Sequence, residues 1–291
     1  MILVAGATGF LGGEVTRLLR AAGKPVRALA RTTSEAGKKA ALEGHGAEIH
    51  HGDLKAPESL AAACLGATTV VSTASATLSR QDGDSIDTVD RDGPIALVDA
   101  AAAAGVKHFV FVSFAPLPVD CALQRAKRAV EARIRESGMT YTILQPTDFM
   151  EVWLSPALGF DAAHGKARVL GAGDKATSFI SLGDVARFAA AAVDAPGARN
   201  ATFTLGGPEA VSYLDVIRAF EAAGGPKVEV EHVPEAALEA QLAGATNAVE
   251  EAFGALMLST ARGLPVSSAE ALEAMPMTLT SVADYATRSL A

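Results

Sequence analysis

The chain opens on Met1-Ile-Leu-Val-Ala-Gly-Ala-Thr-Gly-Phe-Leu-Gly-Gly13, and no other stretch constrains its fold as tightly. Four apolar residues run directly into glycines at positions 6, 9 and 12. Val15, Leu18, Leu19 and Ala22 then recur at helical spacing. The succession is strand, glycine turn, helix. Such a turn brings bare backbone N–H groups and a helix N-terminus against a diphosphate. Gly6 would permit the tight turn, Gly9 the close approach of phosphates, and Gly12 the packing of helix on strand. The G-x-x-G-x-x-G spacing differs from the G-x-G-x-x-G dinucleotide fingerprint. A glycine turn that binds nothing is therefore the alternative at this point.

The alternation continues. Strands are expected near 25–30, 47–51, 68–74, 106–113 and 140–145, with helices between them. Five strand–helix alternations in the first 137 residues predict an α/β fold with a doubly wound parallel sheet. After about residue 150 the alternation fades. A hairpin-like excursion is expected over 165–173, a short strand over 202–205 and an edge strand over 227–233. Ser181-x-x-Asp184 and Ser212-x-x-Asp215 read as helix starts of the capping-box type. The rest is mostly helical. The expected division is a nucleotide-binding domain over 1–150 and a smaller, mostly helical C-terminal lobe over 151–291, some of whose segments return to the core.

The charge of −8 argues against the basic stripe of a nucleic-acid surface and gives no sign of a polybasic patch for a membrane. No apolar run reaches transmembrane length, and the apolar start is too short for a signal segment. Cys64 and Cys121 make no metal-ligand spacing and read as idle, reduced thiols. A cytoplasmic protein is expected. Asp82, Asp84, Asp87, Asp90 and Asp92 suggest a metal, but their spacing is no EF-hand loop, and a solvated loop running into a helix is preferred. No metal is expected.

The end of the second strand carries ligand information. An NAD site places an acid there for the ribose 2′-hydroxyl. No Asp or Glu lies between Lys24 and Ser34; Arg31, Thr32 and Thr33 stand there instead. A guanidinium suits a 2′-phosphate in charge and in donor geometry, so NADP is favoured over NAD. Asp53, at the end of the third strand, either accepts from an adenine amino group or caps the helix near Pro57. Small residues from Ser72 to Ala76 leave room for a ligand over the backbone. Phe149, Met150 and Trp153 lie past the sixth strand and form a candidate apolar substrate wall, with core packing as the rival.

Val4–Gly12, Gly52-Asp53-Leu54, Ala104–Ser113, Ser137–Leu144 and Phe179–Ala186 resemble the atypical short-chain dehydrogenase/reductases, nearest the NmrA-like and isoflavone-reductase-like branch. The resemblance extends to about residue 235. It implies a Rossmann fold, NADP(H) on the glycine turn and a substrate cleft under a variable C-terminal lobe. The expected cofactor set is Gly6, Thr8, Gly9, Phe10, Leu11, Gly12, Arg31, Asp53, Leu54, Thr73, Ala74, Ser75, Lys127 and Pro146. The wider superfamily uses Tyr-x-x-x-Lys. Here Lys127 stands at the lysine place, but Leu123 occupies the tyrosine place. Lys127 and Ser113 are the catalytic candidates, with a plain surface lysine and a plain strand-end serine as their alternatives.

Two functional classes follow. One is an NADPH-dependent reductase acting on a small carbonyl, quinone or enone. The other is an NADP(H)-binding regulator that senses redox state through a protein partner without turnover. A non-redox isomerase or lyase on the same fold is a third.

Overall fold

The computed structural model describes residues 1–77 and 81–291. Its strands in chain order are β1 (Ile2–Ala5), β2 (Val26–Ala30), β3 (Glu48–His51), β4 (Thr69–Ser72), β5 (His108–Val112), β6 (Thr140–Pro146), β7 (Phe160–Asp161), β8 (Lys166–Leu170), β9 (Ala201–Leu205) and β10 (Glu229–Val233). The helices are α1 (Phe10–Ala21), α2 (Ala36–Gly44), α3 (Pro57–Cys64), α4 (Gly93–Ala103), α5 (Ala122–Glu136), α6 (Met150–Trp153), α7 (Leu182–Ala192), α8 (Tyr213–Ala222), α9 (Glu235–Ala243), α10 (Ala248–Arg262), α11 (Ala269–Ala274) and α12 (Val282–Leu290).

Seven strands form one parallel sheet in the order β3-β2-β1-β4-β5-β6-β9. This is the doubly wound Rossmann arrangement. The order reverses between β1 and β4, and ligands of such sheets bind outside the strand ends at that reversal. The strands are apolar on both faces because helices cover both. Ile2, Val4, Val110 and Val112 pack on one side with Val15 and Leu19 of α1 and Val185 and Phe188 of α7. Leu3, Ala5, Phe109 and Phe111 pack on the other with Leu60, Leu97, Val130 and Ile134. Each large side chain so buried contributes roughly 1.5–3 kcal/mol.

The expected hairpin near 165–173 is the antiparallel pair β7–β8, starting a few residues earlier than the glycines suggested. Strand β10 joins β8 in parallel, giving a second, three-stranded sheet. Helices α6, α8, α10 and α12 gather around it in a cluster that includes Phe160, Phe179, Tyr213 and Phe220. The intervening α7 and β9 pack into the main sheet.

Two sequence expectations change here. Ser181 caps α7 by accepting from Gly183 N at 3.2 Å, but Asp184 does not complete the box. Its carboxylate accepts instead from Thr280 N at 2.6 Å, so it tethers the segment before α12. The Ser212–Asp215 box forms as expected. The acidic stretch is not uniformly solvated. Residues Ile86–Asp92 form a wide helical turn with five-residue spacing that runs into α4, and it buries Ile86, Val89 and Asp90. The side chain of Asp84 is only 2% exposed. No helix among the described residues is long and apolar enough to cross a membrane.

Candidate functional site

The glycine turn takes the shape its spacing suggests. Gly6 has φ +82°, which only glycine adopts freely. A Cβ on Gly12 would sit 2.3 Å from the Gly6 carbonyl oxygen, so α1 lies directly on the turn. A Cβ on Gly9 would meet only the Gly6 oxygen, at 3.2 Å, within the tight turn itself. Gly9 is the N-cap of α1 and has no side-chain cap. The first-turn N–H groups of the helix therefore have no acceptor within the helix.

A cavity of about 950 Å³ begins at this turn. Its lining includes Gly6, Thr8, Gly9, Phe10, Leu11, Gly12, Arg31, Asp53, Leu54, Thr73, Ala74, Ser75, Ser113, Lys127, Pro146, Phe149 and Trp153. Residues from the ends of β1, β2, β3, β4, β5 and β6 thus meet in one cleft. Phe10 is 80% exposed at its mouth. Met150 is not in this lining. It is fully buried in the cluster of Phe179 and Tyr213, as the core-packing alternative expects. Val152, Leu158, Phe253 and Leu256 join Phe149 and Trp153 instead, and the last two come from α10.

Asp53 does not cap α3, whose N-cap is Ala56 with no side-chain bond. Its Oδ1 accepts from Lys55 N at 2.9 Å, a local turn that holds the carboxylate at the cleft. Thr73 Oγ1 donates to Ala5 O at 3.2 Å and ties the ends of β4 and β1 together. Ser113 Oγ accepts from Arg128 Nη1 at 3.4 Å. Arg128 also donates to Phe114 O at 2.6 Å, lies over the Phe114 ring and pairs with buried Glu131. Burial is the main influence on that guanidinium and pushes its pKa down from its ordinary value.

Lys127 is no surface lysine. Its side chain is 4% exposed, and its Nζ lies 2.9 Å from Asp90 Oδ1 and 3.1 Å from Ala74 O. The Phe111 ring lies beneath it, 5.3 Å away. Asp90 is completely buried; its Oδ2 accepts from Ala76 N at 2.9 Å. Oδ1 has no conventional hydrogen bond, so the lysine is what compensates it. Lys127 thus holds the β4 loop against α5 while facing the cleft. Leu123, one turn earlier, also lines the cleft, as an apolar wall. None of the three tyrosines is part of the lining.

Just behind the cleft lies Asp148, between Thr147 and Phe149 of the lining. It is buried, and its carboxylate accepts from Thr260 Oγ1 of α10 at 2.6 Å. Burial pushes its pKa up to about 7, against a smaller opposing effect of that hydrogen bond. Tyr213, beside it, is raised well above its ordinary value, chiefly by burial and then by the Asp148 charge.

Among the described residues no group of three or more His, Cys, Asp or Glu is placed to hold a metal. Both cysteines are buried and unpaired, and burial raises the Cys64 thiol to about 11.

Sequence reasoning missed Asp90, Asp84, Asp148 and the α10 wall. For Asp90 a signal existed: Ile86 and Val89 precede it at helical spacing and all three are buried. Nothing in the sequence pairs Asp84 with Arg31, 53 residues away.

The sheet order, the glycine turn and the cleft at the strand reversal define a Rossmann protein with a small-molecule site. Residues 1–286 match the NmrA-like family, and the chain belongs to it. It is 34% identical over 230 residues to an NAD(P)H azoreductase of Xenophilus azovorans, covering 78% of this chain and 75% of that one. It is 30% identical over 235 residues to the photosystem II assembly factor Ycf39 of Trieres chinensis, covering 80% and 72%. Among solved structures, the Citrobacter sp. triphenylmethane reductase complexed with NADP(H) superposes with a TM-score of 0.80 at 22% identity, over 100% of both chains. The Escherichia coli NADPH-dependent quinone oxidoreductase QOR2 complexed with NADPH gives 0.76 at 22%, also over 100% of both. At such identities the structural likenesses speak for the fold.

Proposed function

We propose that this chain is a reductase that binds NADP(H) and passes hydride to a small carbonyl, quinone or enone. The observation that carries the reading is the single cleft joining the glycine turn to an apolar, aromatic end. The residues present fit the cofactor. Gly9 carries no side chain at the head of α1, the helix N-terminus is uncapped, and Arg31 lines the cleft at the end of β2. The azoreductase relative supports the same class.

When bound, NADPH supplies the hydride. The chain's own contribution is placement and exclusion of water. Lys127 presents a fixed positive charge beside the β4 loop, where it orients the ribose. Ser113 keeps its hydroxyl proton for donation into the cleft, since its oxygen already accepts from Arg128. Phe149, Trp153, Phe253 and Leu256 hold a flat apolar acceptor away from water. We take 1–150 as the cofactor domain, the later lobe as the acceptor side, and the cytoplasm as the compartment, which buried free thiols suit.

The test is acceptor-dependent oxidation of NADPH by purified protein across quinones, aldehydes and enones. Consumption with at least one acceptor is expected. Tight NADPH binding with no turnover across the panel would transfer the chain to a second reading, an NADP(H)-binding protein that acts through a protein partner. Leu123 at the proton-donor place and the assembly-factor relatives favour that second reading.

A further inference from the structure

Asp84 lies at the end of the cleft formed by β2. Both of its carboxylate oxygens accept from Arg31 Nη1, at 2.9 and 2.7 Å. Its Oδ1 also accepts from Lys55 Nζ at 2.7 Å, and Lys55 donates further to Asp82 O at 2.8 Å. The carboxylate is 2% exposed, whereas each cation is 25% exposed. Arg31 and Asp84 both line the cavity.

We propose that Asp84 is a specificity-determining residue, which holds the preference for NADPH over NADH below what Arg31 and Lys55 would give unopposed. The proposal rests on the cleft being a dinucleotide site. Arg31 commits only Nη1 to the acid. Its Nη2 and Nε make no hydrogen bond among the described residues, and its side chain lines the cavity. A 2′-phosphate on that edge meets a guanidinium whose far side carries a buried carboxylate. Arg31 and Lys55 both pair with that carboxylate, which offsets part of the attraction they would exert on a phosphate. A 2′-hydroxyl carries no charge and is indifferent to the same balance.

Asp84 sits on backbone that is held on both sides. Its N–H donates to Gln81 O at 3.1 Å, closing a turn. Thr88 Oγ1 donates to Gly83 O at 2.9 Å, and Ser85 and Thr88 cap each other reciprocally at the start of the next helical turn. The acid is built into a braced corner of the site.

The experiment measures dissociation constants of NADPH and NADH, by nicotinamide fluorescence at one ionic strength, for wild type, Asp84→Asn and Lys55→Met. Asp84→Asn is expected to tighten NADPH about tenfold, equal to about 1.4 kcal/mol, with NADH nearly unchanged. Lys55→Met is expected to lower the NADPH:NADH preference. An unchanged or reduced preference in Asp84→Asn overturns the proposal. If that variant does not fold, an unchanged or increased preference in Lys55→Met overturns it instead. Wild type that binds neither nucleotide overturns the underlying dinucleotide reading, an outcome distinct from both.

Discussion

The ammonium of Lys127 and the carboxylate of Asp90 lie 2.9 Å apart, and neither reaches solvent to any useful extent. The pair joins α5 to the helical turn before α4, and through Ala74 O and Ala76 N it fixes the loop after β4. Removing one member of such a pair strands a buried charge, which costs about 3–5 kcal/mol. Lys127→Met and Asp90→Leu should each lower the urea midpoint strongly. Lys127→Met combined with Asp90→Leu should recover much of the loss. A double variant as unstable as the sum of the singles would refute the coupling.

The glycines of the opening turn should separate binding from folding. Gly9→Val is expected to leave the melting temperature within a few degrees while weakening NADPH at least about tenfold, because its side chain would stand where phosphates approach. Gly12→Ala should cost about 1–3 kcal/mol of stability by pushing α1 off the Gly6 carbonyl. Calorimetry and nucleotide titration on both variants give the comparison; reversed sensitivities would refute the assignment.

Asp148 makes stability depend on pH. Its folded pKa of about 7 lies above the ordinary 3.8, so the folded state holds a proton that the unfolded chain releases. The sign follows from linkage: stability is greatest below about 4, falls as pH rises to about 7, and levels off above. The full change is on the order of 4 kcal/mol. Asp148→Asn should flatten that segment of the profile, so that the variant gains on wild type between pH 5 and pH 8 in urea titrations. Parallel profiles would show that the carboxyl ionises freely.

The apolar end of the cleft should govern the acceptor alone. Trp153→Ala is expected to raise KM for a quinone about tenfold while leaving the NADPH dissociation constant unchanged, since one large aromatic contact is worth about 1–2 kcal/mol. A matching loss of NADPH affinity would place Trp153 at the cofactor instead.

Much of this architecture is local, and local features are legible. The Gly6–Gly12 spacing, the β-branched strands and the missing acid before Arg31 each act within a few residues. What stayed hidden is the long-range pairing of charges. Asp84 meets Arg31 and Lys55, and Asp90 meets Lys127, only after strands far apart in sequence align. The run of aspartates looked solvated because composition does not tell which face of a helical turn is covered. Met150 shows the converse: Trp153 of the same short helix reaches the cleft from the shared core cluster while Met150 does not, a difference that a four-residue segment is too short to reveal.

Helix α1 carries a consequence for how the chain is made. Val15 and Leu19 share one apolar cluster with early strands and with α7, whose residues 182–192 leave the ribosome some 165 positions later. Synthesis at about 5–20 residues per second leaves that cluster incomplete for roughly ten to thirty seconds. Slowing translation between codons 22 and 182 should therefore increase aggregation more than slowing it after codon 192.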